Sequence, residues 1–211
     1  MSTASDARFW DRSSRNYAKS PISDQAGYER TLERTRALLK PDARVLELGC
    51  GTGTTALRLA GGVGRYLAAD LSTGMIAIAN EKHAANPIPA LAFRAETAEA
   101  LASEAAKFDA VLAFNYLHLV RDLGSTLCSI HALLAPGGLF ISKTPCLGDM
   151  NPLIRLALPV MRAVGKAPYA GVFRARELNE FIAATGFDIL GTESHASRGK
   201  DSRPFIVARR A

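Results

Sequence analysis

The sequence predicts an α/β fold: a doubly wound, mostly parallel seven-stranded sheet finished by a C-terminal antiparallel hairpin. Three observations predict it. From Arg44 onward, short apolar runs alternate with helical stretches, the pattern of βαβ units whose parallel strands are covered on both faces. The first run opens directly into three glycines, Gly49, Gly51 and Gly53, and then into a helix. The last two runs are separated only by the Gly/Ser/Asp-rich stretch 197–203, which leaves no room for a crossover helix, so they pair antiparallel.

Each element follows in order. Residues 1–43 form an N-terminal helical cap. It contains a helix over 5–19 bearing Phe9, Trp10 and Tyr17, and a second over 23–40 that Ser23 or Asp24 can cap and Pro41 stops. The domain proper, 44–211, begins with a strand at 44–48, the glycine turn and a helix over 54–60. Strands at 66–69, 91–94 and 110–114 alternate with helices over 73–85 and 98–106, and helical material then runs through Leu134. Pro136-Gly137-Gly138 turns the chain into a fifth strand, 139–143. Residues 145–173 read as an insertion acting as a lid. Within it, 149–170 is almost all-round apolar (Leu153, Ile154, Leu156, Leu158, Val160, Met161, Val164), broken by Pro152 and Pro159 and interspersed with Arg155, Arg162 and Lys166. A helix over 175–185, stopped by Gly186, precedes the hairpin strands 187–193 and 205–209.

Composition narrows the function classes. With 48% hydrophobic and 22% charged residues, the chain of 211 is neither disordered nor fibrous. No run approaches the roughly 18 apolar residues of a membrane span, and the start Met-Ser-Thr-Ala-Ser-Asp-Ala-Arg lacks the apolar core of a secretory signal. Cys50, Cys128 and Cys146 are widely spaced and odd in number, which suggests no disulfide framework and no metal site and fits the cytoplasm. The net charge of +6 divides as +3 over 1–44, −2 over 45–150 and +5 over 151–211. Basic ends permit a nucleic acid, an anionic membrane or an acidic substrate without choosing among them.

The chemistry lies in Val45-Leu46-Glu47-Leu48-Gly49-Cys50-Gly51-Thr52-Gly53. Glycines let a ligand approach a backbone whose free N–H groups point outward at a helix start. Asp70 ends the second strand, 21 residues beyond Gly49, where a carboxylate can accept both hydroxyls of a ribose. The site therefore binds a nucleoside-bearing cofactor. A dinucleotide fingerprint would place glycine at Thr54, and an anionic Glu47 beside the turn repels a pyrophosphate. It suits a cationic ligand, and S-adenosylmethionine carries an ammonium and a sulfonium without phosphate. Glu47 could instead satisfy nearby backbone amides, Asp70 the following helix dipole, and Glu96 the start of the next helix.

On these residues the chain resembles the class I S-adenosylmethionine-dependent methyltransferases over essentially 44–211, and so a Rossmann-like methyltransferase fold. Glu47 through Gly53 resembles their first motif. Asp70-Leu71-Ser72-Thr73-Gly74-Met75 resembles the second, and Phe93-Arg94-Ala95-Glu96-Thr97-Ala98 the third-strand motif, with Glu96 where the small-molecule branch most often has Asp. Phe108-Asp109-Ala110-Val111 through Leu117-His118 is similar to the fourth-strand motif, and Leu134 through Gly138 to the turn before the fifth strand. Phe9-Trp10-Asp11-Arg12 with Tyr17 is similar to the N-terminal segment of the ubiquinone/menaquinone-biosynthesis-like subgroup.

The resemblance implies S-adenosylmethionine as cofactor, leaving as S-adenosylhomocysteine. Glu47, Gly49, Cys50, Gly51, Thr52 and Gly53 would hold its methionine part, Asp70 the ribose, and Leu71, Met75, Glu96 and Thr97 the adenine, with Phe114 and Asn115 beside them. Tyr17, Tyr116 and His118 would line the acceptor. His118, just beyond the fourth strand, is the candidate catalytic base, against the alternative of a packed or solvated histidine. The expected function is methyl transfer to a small, apolar acceptor. The alternatives are a catalytically silent methyltransferase-like binding protein and a nicotinamide-dependent oxidoreductase. A nucleic-acid partner is not expected. Cys146 after Pro145 follows the fifth strand, the wrong place for a cytosine-attacking thiolate, and no Asn-Pro-Pro-Tyr type motif follows the fourth. Segment 149–170 is expected either to pack as a kinked helix on the core or a dimer contact, or to close over an apolar acceptor and touch a membrane surface. Monomer and homodimer both fit.

Overall fold

The computed structural model describes residues 3–199 and 202–211, apart from the side chains of residues 3 and 154–156. The readings of Ile154, Arg155 and Leu156 thus lie outside the described residues. One sheet of seven strands organises the chain: β1 (Arg44–Leu48), β2 (Arg65–Asp70), β3 (Leu91–Ala95), β4 (Phe108–Phe114), β5 (Leu134–Lys143), β6 (Phe187–Glu193) and β7 (Phe205–Arg210). Their order is β3-β2-β1-β4-β5-β7-β6. The first five are parallel, while β7 runs antiparallel to both β5 and β6. The hairpin is as expected, and its last strand is the one inserted against β5.

Strand residues alternate between two cores, as the two-residue period of a strand requires. Leu46, Leu48 and Phe140 face one core with Leu101, Leu127, Ile130, Leu178 and Ile182. Val45, Tyr66, Ala68 and Ile141 face the other with Leu32, Leu59 and Ile76. The helices that supply these residues are α2 (Gln25–Leu38), α3 (Ala56–Leu59), α4 (Thr73–Ala85), α5 (Ala98–Ala102), α6 (Leu123–Leu133) and α8 (Ala175–Ala184). Asp24, Ser72, Thr97 and Asp122 cap α2, α4, α5 and α6 by accepting bonds from free backbone amides.

Some elements differ from the sequence reading. The helix expected over 54–60 begins only at Ala56 and passes into a 3-10 turn at Ala60–Gly62, where Gly61 and Gly62 do not sustain an α-helix. The helix expected to reach 106 stops at Ala102, where the Ser103 hydroxyl donates back to the Ala100 carbonyl. The long helical stretch before Leu134 divides into a 3-10 turn at Leu117–Leu119 and α6. The fifth strand already pairs at Leu134, opposite Phe108, and the Pro-Gly-Gly turn is an irregularity inside it.

Two further helices frame the carboxyl edge of the sheet. The first, α1 (Thr3–Lys19), packs on α4 and fixes itself there through Asp11. Asp11 Oδ1 accepts from the Gly74 amide at 2.9 Å and the Ser72 hydroxyl at 2.7 Å. These bonds hold its carboxyl below the usual aspartate range. The second, α7 (Pro152–Ala163), starts at Asn151, whose Oδ1 accepts from the Leu153 amide, and contains Pro159. No helix among the described residues is long and apolar enough to cross a membrane.

Candidate active site

A cavity of about 690 Å³ lies at the carboxyl ends of β1, β2, β3 and β4, under α1 and the segment that follows α7. Open α/β sheets bind ligands at this edge. Gly49, Gly51, Asp70, Leu71, Met75, Glu96, Thr97, Phe114 and Asn115 line it together with Tyr17, Tyr116 and His118. Twelve of the residues singled out in the sequence are thus brought together. Glu47, Cys50, Thr52 and Gly53 lie behind the wall.

The glycine turn explains that division. Gly49, Gly51 and Gly53 all adopt positive φ, at 68°, 53° and 74°. A Cβ on Gly49 would stand 2.5 Å from the Tyr116 ring, and one on Gly53 would stand 2.7 Å from the Phe93 ring. The first glycine lets the loop lie against the cavity wall, and the third lets it lie on β3. Thr52 turns away towards α4, where Lys82 Nζ donates to its carbonyl at 3.0 Å and its hydroxyl at 2.9 Å. Lys82 therefore braces the loop from behind. Cys50 is buried and its thiol is pushed well up, by burial first and then by the nearby Glu47 and Asp70 charges, so it is inert.

Glu47 is buried, 3% exposed, and its Oε2 accepts a 2.7 Å bond from the Tyr66 hydroxyl. Burial pushes the carboxyl up to about 8, and the neighbouring Asp70 adds to the shift against the Tyr66 bond. In the free protein at neutral pH this group is largely protonated. The residue expected to be anionic beside the turn is a buried carboxyl bonded to Tyr66 beneath it.

Asp70 is oriented by two backbone amides: Oδ2 accepts from Gly51 at 3.0 Å and Oδ1 from Ser72 at 2.9 Å. Each oxygen keeps a second lone pair for an incoming donor. Burial raises its pKa despite those bonds, so the carboxylate is poorly solvated and gains by meeting neutral hydroxyls. Further along the wall, Glu96 stands 3.6 Å from Arg94, and Thr97 caps α5. Asn115, at φ 53°, is the one non-glycine residue with positive φ among the described residues, and its amide donates to the Lys143 carbonyl at 2.8 Å. Such outliers mark functional edges more often than core.

At the other end stands His118. Its Nδ1 is buried without a hydrogen-bond partner among the described residues, and burial, aided by the Arg203 charge, pulls the imidazole down to about 4. It is a neutral ring with an orphaned nitrogen. Tyr116 and Tyr17 are both pushed up, mainly by burial, and so remain protonated phenols.

The sequence reading missed the fasteners of this chamber. Arg121 makes paired 2.7 Å bonds to Asp6 of α1, and its guanidinium lies over the Tyr169 ring, 4.8 Å from the centroid. Arg162 of α7 covers the same ring at 5.0 Å. The Gly171 amide donates to the His118 carbonyl at 2.7 Å. Trp10 packs edge-on to Tyr17 on α1, and Glu99, which accepts from Thr126, completes the wall. No local motif signals these pairings, since Asp6 and Arg121 are 115 residues apart.

Residues 45–138 match the family model described as methyltransferase domain. The chain is 40% identical over 101 residues to a ubiquinone biosynthesis O-methyltransferase of Methylocella silvestris, covering 48% of this chain and 39% of that protein. It is 32% identical over 147 residues to the protein of the same name from a Chelativorans species, covering 68% of this chain and 58% of that one. The chain thus spans between two fifths and three fifths of the length of these curated relatives. Among solved structures it resembles the magnesium protoporphyrin IX methyltransferase of Synechocystis PCC 6803, with a TM-score of 0.70 and 18% identity over 98% of this chain and 95% of that one.

Proposed function

This chain carries a class I methyltransferase domain, and from that premise we propose that it uses S-adenosylmethionine to methylate a hydroxyl of a small, apolar acceptor. One observation carries the reading. One cavity is lined by a glycine-backed loop and a buried carboxylate, and by a neutral imidazole whose Nδ1 has no hydrogen-bond partner among the described residues. The relatives named as O-methyltransferases support the oxygen acceptor. Membership of this domain family disfavours the nicotinamide-dependent alternative.

The residues fit the cofactor. The Gly49 and Gly51 backbone would receive the methionine part, with Glu47 beneath. Asp70 would accept the two ribose hydroxyls on its free lone pairs. Leu71, Met75, Glu96 and Thr97 would enclose the adenine, and Phe114 and Asn115 the junction with the acceptor. When bound, the sulfonium supplies an electrophilic methyl carbon, so the protein needs no nucleophile of its own. Tyr17, Tyr116 and Trp10 would position the acceptor and exclude water.

The His118 imidazole would then accept the hydroxyl proton. A base of such low pKa suffices, because the acceptor oxygen becomes strongly acidic as its new bond to carbon forms. A cytoplasmic enzyme would meet such acceptors as biosynthetic intermediates.

Two experiments test the proposal together. Calorimetry with S-adenosylhomocysteine should show one site per chain. A radiolabelled methyl donor offered with a panel of apolar phenols and quinone precursors should label at least one of them at an oxygen. Absence of cofactor binding, or labelling confined to nitrogen or carbon acceptors, would refute it.

A further inference from the structure

The segment between β5 and α8 serves the cavity with one side only. Leu158 of α7, and Pro168, Tyr169 and Ala170 beyond it, line the chamber. Leu153, Val160, Met161 and Val164 point elsewhere, with 68%, 66%, 44% and 61% of their surface exposed. At about 3.6 residues per turn these four project within one sector of α7, roughly a third of a turn from Leu158. A lid facing water would carry charges there. This one carries an apolar stripe, and Val172 beyond the helix is likewise 48% exposed.

The charge within the stripe's own segment has one sign. From Met150 through Arg176 the sequence contains no Asp or Glu, while Arg155, Arg162, Lys166, Arg174 and Arg176 are all basic. An apolar helix face in a purely cationic segment is complementary to an interface that is apolar inside and anionic at its surface. A second copy of the chain is a poor match. A two-fold contact on this stripe would set one cationic segment against its equal.

We infer that α7 docks on an anionic lipid bilayer, laying Leu153, Val160, Met161 and Val164 into the headgroup–acyl boundary while Lys166 meets lipid phosphates and the net positive charge of 150–176 attracts the anionic surface. The inner side of the same segment walls the acceptor chamber, so an apolar acceptor dissolved in the bilayer is delivered beside the site. That last consequence rests on the proposed methylation. The docking itself does not.

The test is flotation of the full chain with vesicles of phosphatidylcholine, with and without phosphatidylglycerol, at low and high salt. Wild type should float with the phosphatidylglycerol vesicles, bind neutral ones much less, and be released by salt. The double variant Leu153→Glu/Val160→Glu should bind about tenfold more weakly or worse. Lys166→Glu should lose part of the binding. Thermal melting confirms that each variant is folded, and S-adenosylhomocysteine affinity should be unchanged, since none of the three residues lines the cavity.

Equal binding to both vesicle types, binding indifferent to the double variant, or no binding at all would overturn the docking. So would a concentration-dependent dimer that Leu153→Glu/Val160→Glu dissolves, which would make the stripe a contact between copies. Failure of every protein to bind S-adenosylhomocysteine would count against the cofactor reading alone.

Discussion

Replacing Glu47 by glutamine should make the protein more stable above neutral pH and less able to bind its cofactor. The folded carboxyl keeps its proton to about 8, whereas the unfolded chain releases it near 4.5. Between those values the folded state holds the extra proton, so stability falls as pH rises, by about 1.4 kcal/mol per pH unit. From pH 6.5 to pH 8 this amounts to ~2 kcal/mol, or roughly 4–8 °C in melting temperature for a chain of this size.

His118 acts in the opposite sense but over another range. Its pKa is held down to about 4 from 6.5, so its stability contribution is complete above pH 6.5 and is lost only as pH falls. Glutamine keeps an acceptor for the Tyr66 hydroxyl and cannot titrate. Melting curves from pH 6.5 to pH 8 should therefore fall for wild type and stay nearly level for Glu47→Gln. Calorimetry at pH 7 in buffers of different ionisation enthalpy should show wild type releasing up to about one proton on binding S-adenosylmethionine, and the variant none. Parallel melting slopes, or equal proton release, would refute the assignment of the buried proton to Glu47.

The other site residues give sharper single outcomes. On the proposed ribose role, Asp70→Ala removes the acceptor for two hydroxyls, each worth about 1.5–3 kcal/mol to a charged partner, so S-adenosylhomocysteine affinity should drop ~10²–10⁴-fold by calorimetry. Because burial raises the Asp70 pKa, relief of that carboxylate offsets the loss of its amide bonds, and the ligand-free melting temperature should move little. His118→Asn should lower kcat by ~10²–10⁴ while leaving the cofactor KM unchanged, and the wild-type rate should be flat with pH above about 6 as far as this group is concerned. Asn115→Val forces a β-branched residue to φ 53° and should cost about 1–2 kcal/mol in denaturant titration, whereas Asn115→Gly should cost less.

Much of this architecture is legible in the sequence, for physical reasons. Strands such as that containing Ala110–Ala113 are buried on both faces and read as continuous apolar runs, and a backbone forced to positive φ three times in five residues leaves glycines at 49, 51 and 53. Asp70 is legible because one crossover fixes the distance from the turn to the second strand end. What escapes is whatever depends on pairing across the chain. A hairpin pattern at 187–209 does not say which strand meets β5, and the register of β7 with Leu139–Lys143 decides it. The protonated state of Glu47 depends on a hydroxyl from the neighbouring strand, and Tyr66 reads in sequence only as an apolar strand residue. Asp6, Arg121 and Tyr169 come from three distant segments and carry no spacing signal.

The same distinction separates the two ends of the cavity. The end proposed for the cofactor is built from strand ends and helix starts, where the Asp70 carboxylate is held by the backbone amides of Gly51 and Ser72. Its acceptor end is assembled from α1 and the 149–170 segment, fastened by Asp6–Arg121, the Tyr169 ring between two guanidiniums, and the Gly171–His118 bond. Those fasteners are side-chain pairs and a single loop contact, each worth about 1–2 kcal/mol at most when partly exposed. On the proposed assignment of the two ends, the acceptor walls can therefore part and reseat without disturbing the Asp70 end. A change in acceptor preference should accordingly map to residues 3–19 and 149–170, and leave S-adenosylhomocysteine affinity where it was.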